Sequence, residues 1–125
     1  MKRDLIPALA LGALSMLPAD AHAAPVLTQN AKVLAVAVRS DIAGSVMTLQ
    51  IDFDQSLGQN CTPGNNQTGV FSFAQSDPLK EIKKVSMEAM RQMAVSAKLS
   101  GRRVNVETTQ CLSGGASVIS WMGIF

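Results

Sequence analysis

The sequence predicts a mainly β, α+β domain in which five short strands carry a single helix between the third and the fourth. Three observations carry that expectation. One amphipathic helix is legible between Asp77 and Gly101. Runs of alternating apolar and polar residues lie on both sides of it. Clusters of glycine, proline, asparagine and serine separate those runs.

The chain opens with a leader. Lys2 and Arg3 precede the apolar run Leu5 to Leu17, which has the length of a signal-peptide h-region and falls short of a bilayer span. Ala21-His22-Ala23 supplies a small-x-small cleavage signal. Residues 1–23 are therefore expected to be removed, which leaves one domain over residues 24–125 in an exported chain, periplasmic or secreted, with no membrane span after cleavage.

Each element follows in order. Residues 24–30 read as a loose terminus. Val33 to Arg39 is a β-rich run with Leu34, Val36 and Val38 on one face, and residues 40–45 form a turn. Val46 to Phe53 alternates cleanly, with Met47, Leu49, Ile51 and Phe53 against Thr48, Gln50 and Asp52, as expected of a strand with one wet face. Asp54 to Gly69 is a long polar loop that holds Cys61 and two N-glycosylation-type triplets, at Asn60 and Asn66. Val70 to Gln75 is a short strand with Phe71 and Phe73 on one face.

In the helix, Asp77 is placed to cap, Pro78 suits the first position, and Gly101 suits the left-handed residue after the last turn. Leu79, Ile82, Val85, Ala89, Met90, Met93 and Ala97 project to one side, which is expected to lie on the sheet. Lys83 falls inside that face and is expected to snorkel at its rim. Val95 and Leu99 project to the polar side, where they are either scattered apolar residues or a subunit contact. Val104 to Thr108 is a fourth strand. Ser117 to Phe125 is a fifth, with apolar residues on both faces, as if covered on both sides.

Five strands with a helix between the third and fourth is the element order of the OB-fold, a small Greek-key barrel; an open sheet with a helix on one side is the alternative. In an oxidising compartment Cys61 and Cys111 are expected to form one disulfide, the alternative being two buried thiols.

No catalytic constellation is present. His22, the one histidine, lies in the leader, which removes Ser–His and Cys–His pairs and leaves two sulfurs as a poor metal set, so no cofactor is expected. Asp52 and Asp54 are the one carboxylate pair to consider, the basis of a minor reading as a small hydrolase; they straddle a strand end. Basic residues number 11 against 9 acidic and aromatics are 4% of the chain, which argues against a nucleic-acid groove.

The run A-K-L-S-G-R-R-V-N-V-E-T-T-Q-C at 97–111, a glycine turn, and V-I-S-W-M-G-I at 118–124 resemble the B subunits of pentameric bacterial toxins of the subtilase-cytotoxin and pertussis kind, and related small exported bacterial proteins. That resemblance implies an OB-fold, one intrachain disulfide, a ring-shaped homo-oligomer and glycan binding. It assigns no sugar-contacting residue in this chain. The expected function is a non-enzymatic exported binding module, a glycan-binding toxin-B-like subunit; the alternative is a periplasmic or cell-surface structural or interaction protein, with an exported protein as partner and no sugar site.

Overall fold

The computed structural model describes residues 25–41, 43–57, 61, 67–112 and 115–124. The expected leader lies outside them, as do Asn60 and Asn66. The elements run β1 (Val26–Ser40), β2 (Val46–Phe53), β3 (Thr68–Ala74), α1 (Lys80–Ser100), β4 (Arg103–Cys111) and β5 (Ser117–Ile124). The strands make one sheet that closes on itself in the order β1-β2-β3-β5-β4, with β4 returning to β1. Every neighbouring pair is antiparallel except β3 with β5, whose short parallel junction pairs Gly69 with Ser117 and Val70 with Val118.

β1 is longer than expected and begins at Val26, not Val33. Its first half pairs with β4 and its second half with β2, so it must bend between them. The bend comes from two irregularities, between Thr28 and Ala31 and between Val33 and Ala35. Asn30 sits in the first with φ 57°, a left-handed conformation that asparagine tolerates better than most residues. Each extra residue in a strand exchanges its inner and outer faces. Leu34, expected on one face with Val36 and Val38, is consequently turned out to solvent, while Val36 and Val38 keep a common face, Val36 packed against the core and Val38 toward the end of the strand; Ala31 and Val33 are buried.

Leu49, Ile51 and Phe53 of β2 point inward as the alternation requires, and meet Val104 and Val106 of β4, Ile119 and Met122 of β5 and Phe73 of β3. Gly69 lies where the ring closes. A Cβ there would stand 2.7 Å from Cδ1 and 2.8 Å from Cγ1 of the buried Ile119, so β3 and β5 approach each other only because this residue has no side chain.

α1 begins later than expected, at Lys80. Asp77 accepts the Leu79 N–H at 2.8 Å in the turn before the helix, with Pro78 inside that turn. Gly101 ends the helix at φ 73°, and Arg102 N–H bonds to Ala97 O at 3.1 Å.

The face that α1 buries matches the expected one in part. Ala97 is buried and Met90 and Met93 pack against the core, whereas Leu79, Ile82, Val85 and Ala89 are exposed, and Met87 and Ala94 are buried in their place. The helix carries two apolar stripes on opposite sides. The stripe of small and flexible residues can approach the sheet closely; the stripe of larger aliphatic residues faces away. Lys83 lies at the rim of the buried stripe, and its Nζ donates to Asp77 Oδ2 at 2.6 Å.

Cys61 and Cys111 are joined in a disulfide, with Cα atoms 5.4 Å apart. Cys61 is fully buried, and its sulfur lies 3.2 Å from the Ser117 hydroxyl. The bridge thus fastens the segment between β2 and β3 to the end of β4, beside the point where the ring closes.

Candidate functional site

The carboxylates of Asp52 and Asp54 are each engaged by neighbouring strands. Asp52 accepts the Thr68 hydroxyl at 2.8 Å. Asp54 accepts the Lys32 N–H at 2.9 Å and Arg103 Nη1 at 3.1 Å, and Arg103 also donates to Asn30 O at 3.0 Å. The backbone donor and, after it, the guanidinium hold the Asp54 carboxyl below its ordinary range. The Asp54 and Arg103 contacts are clamps that hold bent β1 against β2 and β4, and the Asp52–Thr68 bond ties β2 to β3. Among the described residues no three of His, Cys, Asp and Glu converge as a metal site, and no helix is long and apolar enough to cross a membrane.

The arrangement with most binding chemistry lies on the outer face of β1, β4 and β5. Strand register places Leu27, Glu107 and Trp121 in one row across the three strands. Trp121 is 43% exposed, and Leu27 is exposed at the other end of the row, beyond Glu107. Simple alternation along β5 from buried Ile119 would turn Trp121 inward with it. A bulge prevents this: Thr108 pairs with Ile119 and Glu107 with Trp121, so Ser120 is the extra residue. Ser120 and Trp121 both face out, and Met122 returns to the core. Bulges commonly re-aim a side chain in this way.

The bulge also supplies polar groups beside the indole. Ser120 Oγ donates to Glu107 Oε1 at 2.9 Å and lies 3.3 Å from Glu107 O. One step along the same face, Asn105 pairs in register with Gly123, which has no side chain to fill the space beside Trp121. Asn105 Oδ1 accepts the Asn30 N–H at 3.0 Å, which fixes the amide and leaves its NH₂ to donate. An indole face, a carboxylate acceptor, a hydroxyl and an amide donor therefore share one surface. Sequence reasoning missed this site because it placed no bulge in β5.

Other concavities are less suited to chemistry or to oriented binding. A depression of about 570 Å³ lies beside the β1–β2 turn, where the carboxylate of Asp41 is occupied by the Ser45 N–H and hydroxyl at 2.7 and 2.8 Å. A groove of about 430 Å³ between the sheet and α1 has a floor of Val38, Met47, Phe73 and Met87. On its rim Glu88 and Arg91 bond each other at 2.5 and 2.9 Å, so their charges face each other rather than the groove.

The two residues expected at a subunit contact, Val95 and Leu99, lie on one side of α1; Val95 is half-buried and Leu99 is 80% exposed. They line a shallow depression there with Gln92 and Ser96. The chain matches no protein-family model and no curated protein.

Proposed function

We propose that the chain is an exported, non-enzymatic binding module, and that the outer face of β4 and β5 binds a saccharide stacked on Trp121. One observation carries this reading: the β5 bulge turns the one tryptophan of the chain outward and sets a carboxylate, a hydroxyl and an amide around it. A sugar ring offers one face of polarised C–H bonds and an edge of hydroxyls. The C–H face is attracted to the electron-rich indole, and the hydroxyls need both acceptors and donors placed to fix orientation. Glu107 and Asn105 supply one of each.

The strand order, closed on itself with the helix between β3 and β4, supports reading the domain as a small OB-like barrel of the kind used by toxin B subunits. Export follows in this reading from the leader, and the disulfide is suited to an oxidising compartment.

A glycan array probed with the mature, oxidised chain tests the proposal. Capture of a subset of glycans, lost in Trp121→Ala, is expected. Undiminished capture by Trp121→Ala moves the ligand off this face, and no capture at all favours the second reading. That reading, an interaction protein with no sugar site, draws on the exposed outer stripe of α1.

A further inference from the structure

We infer that the outward face of α1 is a docking surface for the same helix of a second copy of this chain, packed antiparallel about a two-fold axis near Gln92. The inference goes beyond the saccharide reading and does not depend on it.

Ile82 is 64% exposed, Val85 70% and Leu99 80%. They fall with Ala89, Gln92 and Ser96 on a series whose steps are three, four, three, four and three residues, which is the a/d spacing of a helix–helix seam. The buried stripe of the same helix, through Met87, Ala94 and Ala97, is already committed to the core on the opposite side. Four of the six positions are apolar, with Gln92 and Ser96 polar near the centre, on a helix of 21 residues.

The surface also has the relief that such packing uses. Glu81, Lys84, Val85 and Glu88 surround one depression, and Gln92, Val95, Ser96 and Leu99 surround another. Each set of four is i, i+3, i+4 and i+7, the pattern of a hole that receives one side chain from a facing helix. A two-fold axis near Gln92 brings the partner subunit's Leu99 to the hole around Val85, and places Val95 opposite the partner subunit's Ala89. The face is then both knob and hole, as an isologous contact demands.

Charge sets the direction. Glu81 is exposed in the first turn of α1, and Arg102 is exposed just past its end. Arg102 makes no salt bridge among the described residues. Antiparallel packing brings Glu81 beside the partner subunit's Arg102 at both ends of the interface, and opposes the two helix dipoles. Parallel packing stacks Glu81 on its own copy and Arg102 on its own copy, which is repulsive.

Sedimentation of the oxidised mature chain across the micromolar to submillimolar range tests the inference. The mass is expected to rise from one chain to two and stop there. Val85→Glu with Leu99→Glu is expected to hold the mass at one chain, with unchanged circular dichroism and unchanged glycan capture. Glu81→Arg or Arg102→Glu alone weakens association several-fold, and the two together restore it. Val85→Cys and Leu99→Cys chains give the direction: a cross-link formed only when the two are mixed supports the antiparallel pair, and cross-links within each variant alone overturn it. A chain that stays monomeric throughout, or a mass that climbs past two to a ring, also overturns it.

Discussion

Replacing Cys61 and Cys111 together by alanine removes the one covalent cross-link of the domain. The bridge closes a loop of 50 residues that contains β3, α1 and β4. In the chain-entropy picture a loop of that length restricts the unfolded chain by about 4 kcal/mol. A domain of this size loses about 4–8 °C in Tm per kcal/mol, so the double variant should melt roughly 15–30 °C lower. The loss should also be local in its first effect. The Phe53 N–H bonds to Gln67 O at 2.9 Å, across the mouth of the segment that Cys61 anchors. That amide should exchange with solvent earlier than amides in the middle of β2. Thermal melts followed by circular dichroism, with hydrogen exchange resolved at Phe53, Leu49 and Ile51, provide both readings. A Tm within about 3 °C of wild type, or protection at Phe53 unchanged, would refute the argument that the bridge holds this end of the ring closed.

Two further outcomes follow from particular contacts. Gly69→Ala forces a Cβ against Cγ1 and Cδ1 of the buried Ile119 at the β3–β5 junction, and chemical denaturation should show a loss of about 1–3 kcal/mol; an unchanged midpoint would remove this close approach from the reasons the ring closes. Hydrogen bonds from Arg91 and Gln92 hold the Glu88 carboxyl down to about 2 from 4.5. Because the folded value lies below the unfolded one, the stabilisation is present above about pH 4.5 and is lost as pH falls through about 2. Urea midpoints between pH 5 and 2 should therefore fall less steeply in Glu88→Gln, and the difference between the two chains should shrink in 1 M salt because the pair is exposed. An equal slope in the two chains would remove Glu88 from the account.

The order of strands and helix was legible because β2 alternates without interruption and because glycine and proline clusters mark the breaks. Wherever a strand contains an extra residue, the same reading fails. The irregularities around Asn30 and Leu34 hid the first half of β1 and turned Leu34 away from the face it was expected to share with Val36 and Val38. The bulge at Ser120 made β5 read as a strand covered on both faces, when its tryptophan is in fact turned to solvent. Periodicity assumes one residue per register step, and nothing in the residue types at 28–31 or 119–121 announces the extra one. The helix presented a different difficulty. Its two apolar stripes lie on opposite sides, and bulk hydrophobicity favoured Ile82 and Val85 over Met87 and Ala94. Which stripe is buried depends on how closely the helix can approach the sheet, which is a property of the assembled fold. The cysteines were the most readable feature, since a count of two leaves one pairing.

The saccharide proposal turns on Trp121, and the chain contains no other tryptophan, so its intrinsic fluorescence reports that site alone. The decisive measurement is a titration of the emission of the mature protein with each glycan that the array captures, together with acrylamide quenching at saturation. A saturating blue shift with reduced quenching is expected, because a ring stacked on the indole removes water from a side chain that is 43% exposed. Glycan binding that leaves both emission and quenching unchanged would contradict the account and place the ligand elsewhere on the molecule.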